Sequence, residues 1–243
     1  MSMIVTEIGQ GKVTETDERV DLTVAARYDE YSNAQIASYK TRHDFSYIPP
    51  LRMTLMAQVT GELRGTAGFG FWNHPYVPGE RGFRLPRAVW FFHASPPNNI
   101  ALAKGVPGYG WKAATFDATR WQFLTLLPTA PIGFLLMRIP KLYNLLWSIG
   151  QQAIGVHEQL LNHDLLKSSH RYTIEWLPDE IRFLVDDQLV HCVRLTIKGK
   201  LGFIAWVDNQ YAIVTPQGHF GAGLMDHTGE QILMLNQIEI KPL

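Results

Sequence analysis

Three short polar groups at the ends of apolar segments contain side chains that could bind a ligand or move a proton. They occupy residues 31–35, 72–74 and 206–210. Amides and carboxylates make directed hydrogen bonds to hydroxyl groups. We therefore predict ligand-binding roles for Asn33, Gln35, Asn73, Asn209 and Gln210. The alternative is turn chemistry, because Asn and Asp also favour turns.

Three residues in or near these groups could perform acid–base catalysis: Asp208, His93 and His74. Asp208 directly follows an apolar strand, so its carboxylate could point into the mouth of a groove. The histidines could carry a proton, because imidazole titrates near neutral pH. The alternative for each histidine is a structural role among aromatic neighbours.

The elements that must position these residues are strands. Aromatic and aliphatic runs separated by Gly, Pro and Asn are typical of β-strands. Tight turns at 178–179, 186–187 and 198–200 predict an antiparallel meander from 172 to 207. The last strand then has to pair with the first half of the chain, as in a jelly roll. The predicted strands cover 51–59, 66–72, 88–94, 172–176, 181–185, 189–195, 201–207 and 232–240.

One region interrupts the β pattern. Apolar residues recur at helical spacing between 141 and 161, which predicts an amphipathic helix inside an apolar insert at 116–167. Such an insert must cover the groove, a second subunit or lipid. Exposure of Phe123, Leu126, Leu127, Phe134 and Leu135 would favour a partner or a membrane. A homo-oligomer through the insert and a less favoured peripheral membrane contact both stay open.

Composition argues against several classes of function. Lys plus Arg and Asp plus Glu both number 22, and this zero net charge argues against nucleic acid as a partner. One cysteine excludes an intrachain disulfide. The first residues lack a signal-peptide pattern, which favours a cytoplasmic location. His157 and His163 are too far apart in sequence for a zinc helix, so we predict no metal and no cofactor.

Two segments resemble a known superfamily. Residues 170–176 end in Glu-Trp, and residues 178–186 begin with Pro-Asp and end in Val-Asp. This pattern, together with the glycine- and phenylalanine-rich segment 65–73, resembles the concanavalin A-like lectins and glucanases, including glycoside hydrolase family 16. Asp187 stands where the superfamily has Gly, and Asp tolerates a left-handed backbone better than most residues. The resemblance implies an all-β class: a single two-sheet jelly-roll domain over residues 1–243.

The same resemblance marks a departure. The hydrolytic relatives carry two catalytic Glu residues on the next inner strand, and retaining chemistry needs them about 5 Å apart. The matching segment here is 87–95, where Ala88, Trp90 and either Phe92 or His93 take the catalytic places. No Asp or Glu lies between Arg81 and Asp117. The resemblance therefore predicts a protein that does not hydrolyse glycosidic bonds by this route.

What remains is a groove lined by aromatic side chains, for which we predict Phe71, Trp72, Trp90, Phe92 and Trp206. Aromatic faces stack on sugar rings but suit any flat or apolar ligand. We therefore predict a non-hydrolytic protein that binds a glycan or a partly apolar small molecule. The alternative function is an enzyme with acid–base chemistry on a small apolar substrate. The alternative for each aromatic residue is a place in the core.

Overall fold

The computed structural model describes residues 3–25, 30–41, 43–73, 84–226 and 229–243. Three α-helices lie within these residues: α1 (Trp121–Leu126), α2 (Ala130–Leu136) and α3 (Pro140–Ala153). The strands of the described residues are β1 (Ile4–Ile8), β2 (Gly11–Glu15), β3 (Arg19–Val24), β4 (Asn33–Ala37), β5 (Leu51–Thr60), β6 (Thr66–Trp72), β7 (Arg87–Ala94), β8 (Asn99–Ile100), β9 (Gly110–Asp117), β10 (His157–Leu160), β11 (His170–Trp176), β12 (Ile181–Val185), β13 (Gln188–Val193), β14 (Gly202–Asp208), β15 (Gln210–Val214), β16 (Phe220–Leu224) and β17 (Gln231–Pro242).

Two seven-stranded antiparallel sheets pack face to face. Sheet A has the strand order β1-β4-β14-β6-β7-β9-β10, and sheet B has the order β13-β12-β11-β5-β17-β3-β2. A third sheet, β16-β15-β8, is smaller. The last strand, β17, pairs with β3 and β5 from the first half of the chain, as predicted. The predicted jelly-roll sandwich is therefore confirmed.

The core between the two sheets is dense in aromatic rings. The Phe91 ring lies 5.0 Å from that of Tyr172 and 5.3 Å from that of Phe183, which connects sheet A to sheet B. Phe69 and Trp111 extend the same cluster. Such rings bury large apolar areas and prefer edge-to-face or offset contacts. They fix the inner face of sheet A as the one that carries Phe69, Phe91 and Trp111.

The two sheets differ in how they meet solvent. Strand β5 of sheet B alternates buried and partly exposed residues, as expected of a sheet with one wet face. Strands β4 and β14 of sheet A are buried at every position, and β7 is nearly so. The central strands of sheet A are thus covered on both faces. Ile100 of β8 packs against its outer face, the one that points away from sheet B.

The predicted meander is correct for β11, β12 and β13 only. Asp186 and Asp187 form the tight turn between β12 and β13, with φ angles of 49° and 63°. This left-handed geometry is the one for which we expected Asp to be tolerated in place of Gly. The turn at 198–200 was wrongly predicted to join neighbours, because β13 lies in sheet B and β14 in sheet A.

The predicted insert was too long. Its helices occupy only 121–153, while Phe116 belongs to β9 and residues 157–160 form the edge strand β10 of sheet A. Helix α3 ends at Ala153, well before the predicted end at 161. Gly155 follows with φ of 62°, a left-handed conformation that ends helices and favours glycine. From there the chain returns to the sheet.

Candidate functional site

An aromatic cluster occupies the outer face of sheet A. Its members are Trp72, Trp90, Phe92, Phe116 and Trp206. The Trp90 ring is central: it lies 5.1 Å from that of Phe92 and 5.3 Å from that of Trp206. The rings of Trp72 and Phe116 lie 5.2 Å and 5.5 Å from it. The strand alternation thus places four of the five predicted groove aromatics on one face, outside the core.

Two glycines of β6 allow the rings to lie against the strand. Gly68 pairs with Trp206 on one side and with Phe92 on the other. A Cβ atom on Gly68 would lie 2.4 Å from the Phe91 carbonyl oxygen and 3.0 Å from the Trp206 ring. Gly70 has φ of 147°, which few other residues adopt. The glycines of the sequence Gly-Phe-Gly-Phe therefore shape this face, and its phenylalanines fill the core.

The aromatic cluster is covered. Trp90 and Phe92 are each 8% exposed, and Trp206 is 5% exposed. Ile100 of β8 contacts the cluster, and β8 is held by β15 of the third sheet. A ligand could reach the rings only after a shift of these covering segments.

A polar row borders the cluster at one end. Asn33, Asp208 and Thr66 are paired across β4, β14 and β6, so their side chains share the outer face. One oxygen of Asp208, Oδ1, accepts hydrogen bonds from the Thr66 backbone N–H at 3.1 Å and from its hydroxyl at 2.9 Å. The other oxygen, Oδ2, accepts one from the Gln210 side-chain amide at 2.9 Å. Burial raises the pKa of Asp208 to about 7, although these hydrogen bonds act in the opposite direction.

Asn33 has unused hydrogen-bonding capacity. Its Oδ1 atom is buried and has no hydrogen-bond partner among the described residues. A buried acceptor without a donor is costly, so such an atom in a folded protein calls for a water or ligand donor. Gln35 lies on the same face, paired with Trp206, and is 3% exposed. Gln35 thus places an amide directly beside Trp206, and Asn33 follows in the next row of the same face.

A buried ion pair lies at the opposite edge of this face and was not predicted. Lys112 Nζ lies 2.9 Å from Glu158 Oε2, and the two side chains are 1% and 9% exposed. Burial raises the pKa of Glu158, and Lys112 opposes this rise. Lys112 pairs with Phe92, so it continues the aromatic row. The signal was a single cation inside the apolar run of residues 111–116.

The carboxylates on this face are far apart. Among the described strands of sheet A, Asp208 of β14 and Glu158 of β10 are the acids on the outer face. Four strand-to-strand steps separate β14 from β10. At about 4.8 Å a step, the separation is roughly 19 Å. A glycosidase pair needs roughly 5–10 Å, so Asp208 and Glu158 do not form one.

Two predicted site residues lie elsewhere, the groove residue Phe71 and the catalytic candidate His93. Phe71 is in the core between the sheets, where its ring contacts Trp176 at 5.6 Å, so it does not line the groove. The alternation of β6 puts Phe71 and Trp72 on opposite faces. His93 also points inward, paired with Ala67 and Trp111, and its ring lies 5.4 Å from that of His163.

His93 is a poor proton carrier in this position. Burial, together with the nearby His163, lowers the pKa of His93 to about 4. The Leu63 backbone favours the charged form slightly, but neither ring nitrogen reaches a hydrogen-bond partner in the described part of the chain. The structure therefore separates His93 from Asp208, on opposite faces of sheet A.

Two predicted amides have structural contacts. Asn73 accepts a hydrogen bond from the Arg87 backbone N–H at 2.6 Å and donates one to the Leu85 carbonyl, which ties the end of β6 to the start of β7. Asn209 accepts from the Ser32 backbone and donates to the Glu30 carbonyl. Both match the turn-chemistry alternative. His74 lies outside the described residues.

Within the described ranges, no group of three His, Cys, Asp or Glu side chains is placed to hold a metal ion. In the same part of the chain, no helix is long and apolar enough to cross a membrane.

Comparison with known proteins reveals likeness in sequence and in fold. The family described as glycosyl hydrolases family 16 matches residues 143–204, from within α3 to within β14. No curated protein sequence matches the chain. A structure from work on endo-acting O-glycanases of the human gut microbiota has a TM-score of 0.54 at 10% identity. The match covers 97% of this chain and 84% of the chain in that structure.

A second similar structure is a GlcNAcα1-4Gal-releasing endo-β-galactosidase from Clostridium perfringens. Its TM-score is 0.52 at 11% identity, and the match covers 98% of this chain but only 58% of that one. Identities this low establish the fold alone. The protein therefore has the concanavalin A-like sandwich fold, and over residues 143–204 it resembles the glycosyl hydrolases of family 16.

Proposed function

We propose that the protein binds a glycan or a partly apolar small molecule on the outer face of sheet A and does not hydrolyse it. The observation that carries this proposal is the junction between the aromatic cluster and the polar row. There, Asn33, with its buried and unpartnered Oδ1 atom, pairs with Asp208, and Gln35 pairs with Trp206 of the cluster. The family likeness and the two glycan-cleaving structural neighbours support a glycan as the first ligand class to test.

The two parts of the junction suit a sugar. An aromatic face stacks against the apolar side of a pyranose ring, and amides bond to its hydroxyls. Because the cluster is covered, an extended polymer does not fit across it without movement of β8 and β15. We therefore propose a short saccharide, or a small molecule with an apolar body and one hydroxyl or amide group.

Binding should depend on Asn33. In a titration calorimetry screen of short oligosaccharides and small apolar metabolites, we expect at least one compound to bind. Replacing Asn33→Ala removes one hydrogen bond to the ligand and should weaken that binding about tenfold. The matched control is Asn236→Ala, since Asn236 also has an unpartnered buried Oδ1 but lies on sheet B. Equal losses in both variants, or no binding compound, would contradict the proposed site.

Hydrolysis should be absent. We expect no release of reducing ends from β-glucans or galactans, because Asp208 and Glu158 are too far apart to act on one glycosidic bond. The measurement is a reducing-end assay at several pH values. Activity that disappears in Asp208→Asn or Glu158→Gln would overturn the non-hydrolytic proposal.

A second candidate function, acid–base catalysis on a small substrate, rests on Asp208 alone. A carboxyl whose pKa is raised to about 7 by burial is a typical general acid or base. Its hydrogen bonds to Thr66 and Gln210 favour a structural role instead. Turnover of a bound compound by the wild type, lost in Asp208→Asn with binding retained, would establish catalysis in place of simple binding.

A further inference from the structure

The helical insert, residues 121–153, has an exposed apolar surface. Trp121 is 69% exposed, Ile132 66%, Leu145 63% and Leu135 61%. Soluble proteins seldom leave so many large apolar side chains exposed in one short segment unless the segment binds something. Its exposed large apolar residues are Trp121, Leu124, Leu127, Ile132, Leu135, Leu136, Ile139, Leu145 and Ile149.

The insert is fixed to the sandwich by its other side. In α3, the buried Trp147 donates a hydrogen bond from Nε1 to the Leu102 carbonyl at 2.8 Å. Leu145 and Ile149, four residues apart, lie on the opposite side of that helix. In α2, the Phe134 ring packs 5.5 Å from that of Phe220. The exposed side is therefore a defined surface with a fixed orientation.

The charge of this surface has one sign. The insert and its flanks carry Arg120, Arg138 and Lys141, and no Asp or Glu occurs from residue 118 to 157. The whole chain, in contrast, contains equal numbers of acidic and basic residues. The surface is therefore apolar and cationic.

A basic cleft adjoins the exposed Trp121. Its volume is about 670 Å³, and Arg120, Arg194 and Lys198 line it. Within the described part of the chain, none of these three cations forms a salt bridge. The one acid of the cleft, Asp117, accepts hydrogen bonds from the Thr119 backbone and hydroxyl. The cleft thus offers free positive charge beside an exposed indole.

We propose that the helical insert is a docking surface for an anionic lipid bilayer. Apolar and aromatic side chains would lie at the acyl boundary, with cations at the level of anionic headgroups. A second copy of the chain fits less well, because a symmetric interface would bring the cation-bearing surface against itself with no anion to pair. This inference does not depend on the proposed ligand site on sheet A.

The test is flotation of the full chain with lipid vesicles. We expect binding to phosphatidylcholine vesicles that contain phosphatidylglycerol, and little binding to phosphatidylcholine alone. Replacing two cations, Arg138→Ser with Lys141→Ser, should weaken binding by about tenfold or more. Raising the salt from about 0.05 M to about 0.5 M should also weaken it, since salt screens surface charges.

Apolar variants complete the test. Leu145→Ser with Ile149→Ser should reduce binding by at least about tenfold, because both side chains leave the acyl boundary. The matched control is Leu189→Ser, because Leu189 is an exposed leucine on β13, away from the insert. This variant should bind vesicles as the wild type does. Failure to bind anionic vesicles would overturn the proposal. A second outcome would also overturn it: light scattering shows a dimer, and Leu145→Ser with Ile149→Ser dissociates this dimer but leaves vesicle binding unchanged.

Discussion

Replacing Lys112→Met is expected to lower the free energy of unfolding at pH 7 by about 3–5 kcal/mol, the usual result of breaking a buried ion pair. The substitution keeps most of the side-chain volume but leaves Glu158 as a buried carboxylate without its cation. Lys112 Nζ donates to Glu158 Oε2 at 2.9 Å, and both side chains are almost fully buried. The cost comes from desolvation of the remaining charge.

The effect of Lys112→Met should depend on pH in a defined direction. Burial raises the pKa of Glu158, and Lys112 is the group that opposes the rise. Without the cation, this pKa rises further above its unfolded value. The folded variant then holds a proton that the unfolded chain has released, so the variant loses stability as the pH increases from about 4.5. The destabilisation should therefore be smaller at pH 5 than at pH 8.

A double replacement separates the charge effect from packing. Lys112→Met with Glu158→Leu removes both charges, and we expect it to be close to neutral relative to the wild type. Urea unfolding of the wild type, Lys112→Met, Glu158→Leu and the double variant provides the coupling free energy. The matched control is Lys167→Met, which breaks the exposed Lys167–Asp164 pair and should have little effect on stability. Equal losses from Lys112→Met and Lys167→Met would show that the buried pair is not a special determinant of stability.

The same ion pair explains one limit of the sequence analysis. Strand β9 was not predicted, because a strand buried on both faces lacks the alternation that identifies strands with one wet face. Lys112 interrupts its apolar run and reads as a solvent-exposed residue. The partner that permits its burial, Glu158, is 46 residues away in sequence. No local sequence pattern indicates a pairing between residues so far apart.

Strands with clear alternation and turns were predicted well. Strand β6 has the predicted bounds, and β12 does too. Strand β10 was missed because its apolar residues continue the helical spacing of α3, and only the left-handed Gly155 separates the two. For this reason the predicted helix extended beyond Ala153, where α3 ends.

The candidate site was predicted in part. Alternation correctly grouped Trp90 with Phe92, but it does not tell which face of a strand meets the second sheet. Phe71 was therefore placed in the groove, although it lies in the core. Asp208 and Asn33 were found from their positions at strand ends. Their pairing across β14 and β4 became visible only with the sheet order.

Asp208 should make the protein less stable as the pH increases. Burial raises its pKa from 3.8 in the unfolded chain to about 7 in the folded protein. Between these values the folded state binds a proton that the unfolded state has released, so the contribution of Asp208 to stability is complete below about pH 4 and is lost as the pH rises to about 7. A shift of about three pKa units corresponds to a change in the free energy of unfolding on the order of 4 kcal/mol.

The variant Asp208→Asn isolates this effect from other titrating groups. His93 acts in the opposite direction, because its lowered pKa makes stability increase between about pH 4 and 6.5. Glu158 acts in the same direction as Asp208. Both contributions cancel when the variant is compared with the wild type at each pH. The amide can retain the hydrogen bonds from Thr66, and the Gln210 amide can rotate to pair with it.

We therefore expect the two proteins to have similar stability near pH 4.5, where Asp208 is protonated and resembles an amide. Near pH 8, the variant should be more stable by an amount on the order of 3–4 kcal/mol, because it carries no buried charge. Urea unfolding at a series of pH values measures this difference, and Asp179→Asn, an exposed turn position, serves as the control. A difference that stays constant with pH would mean that Asp208 is ionised throughout. Its carboxylate would then accept the hydrogen bonds from Thr66 and Gln210 as a charged group over the whole pH range.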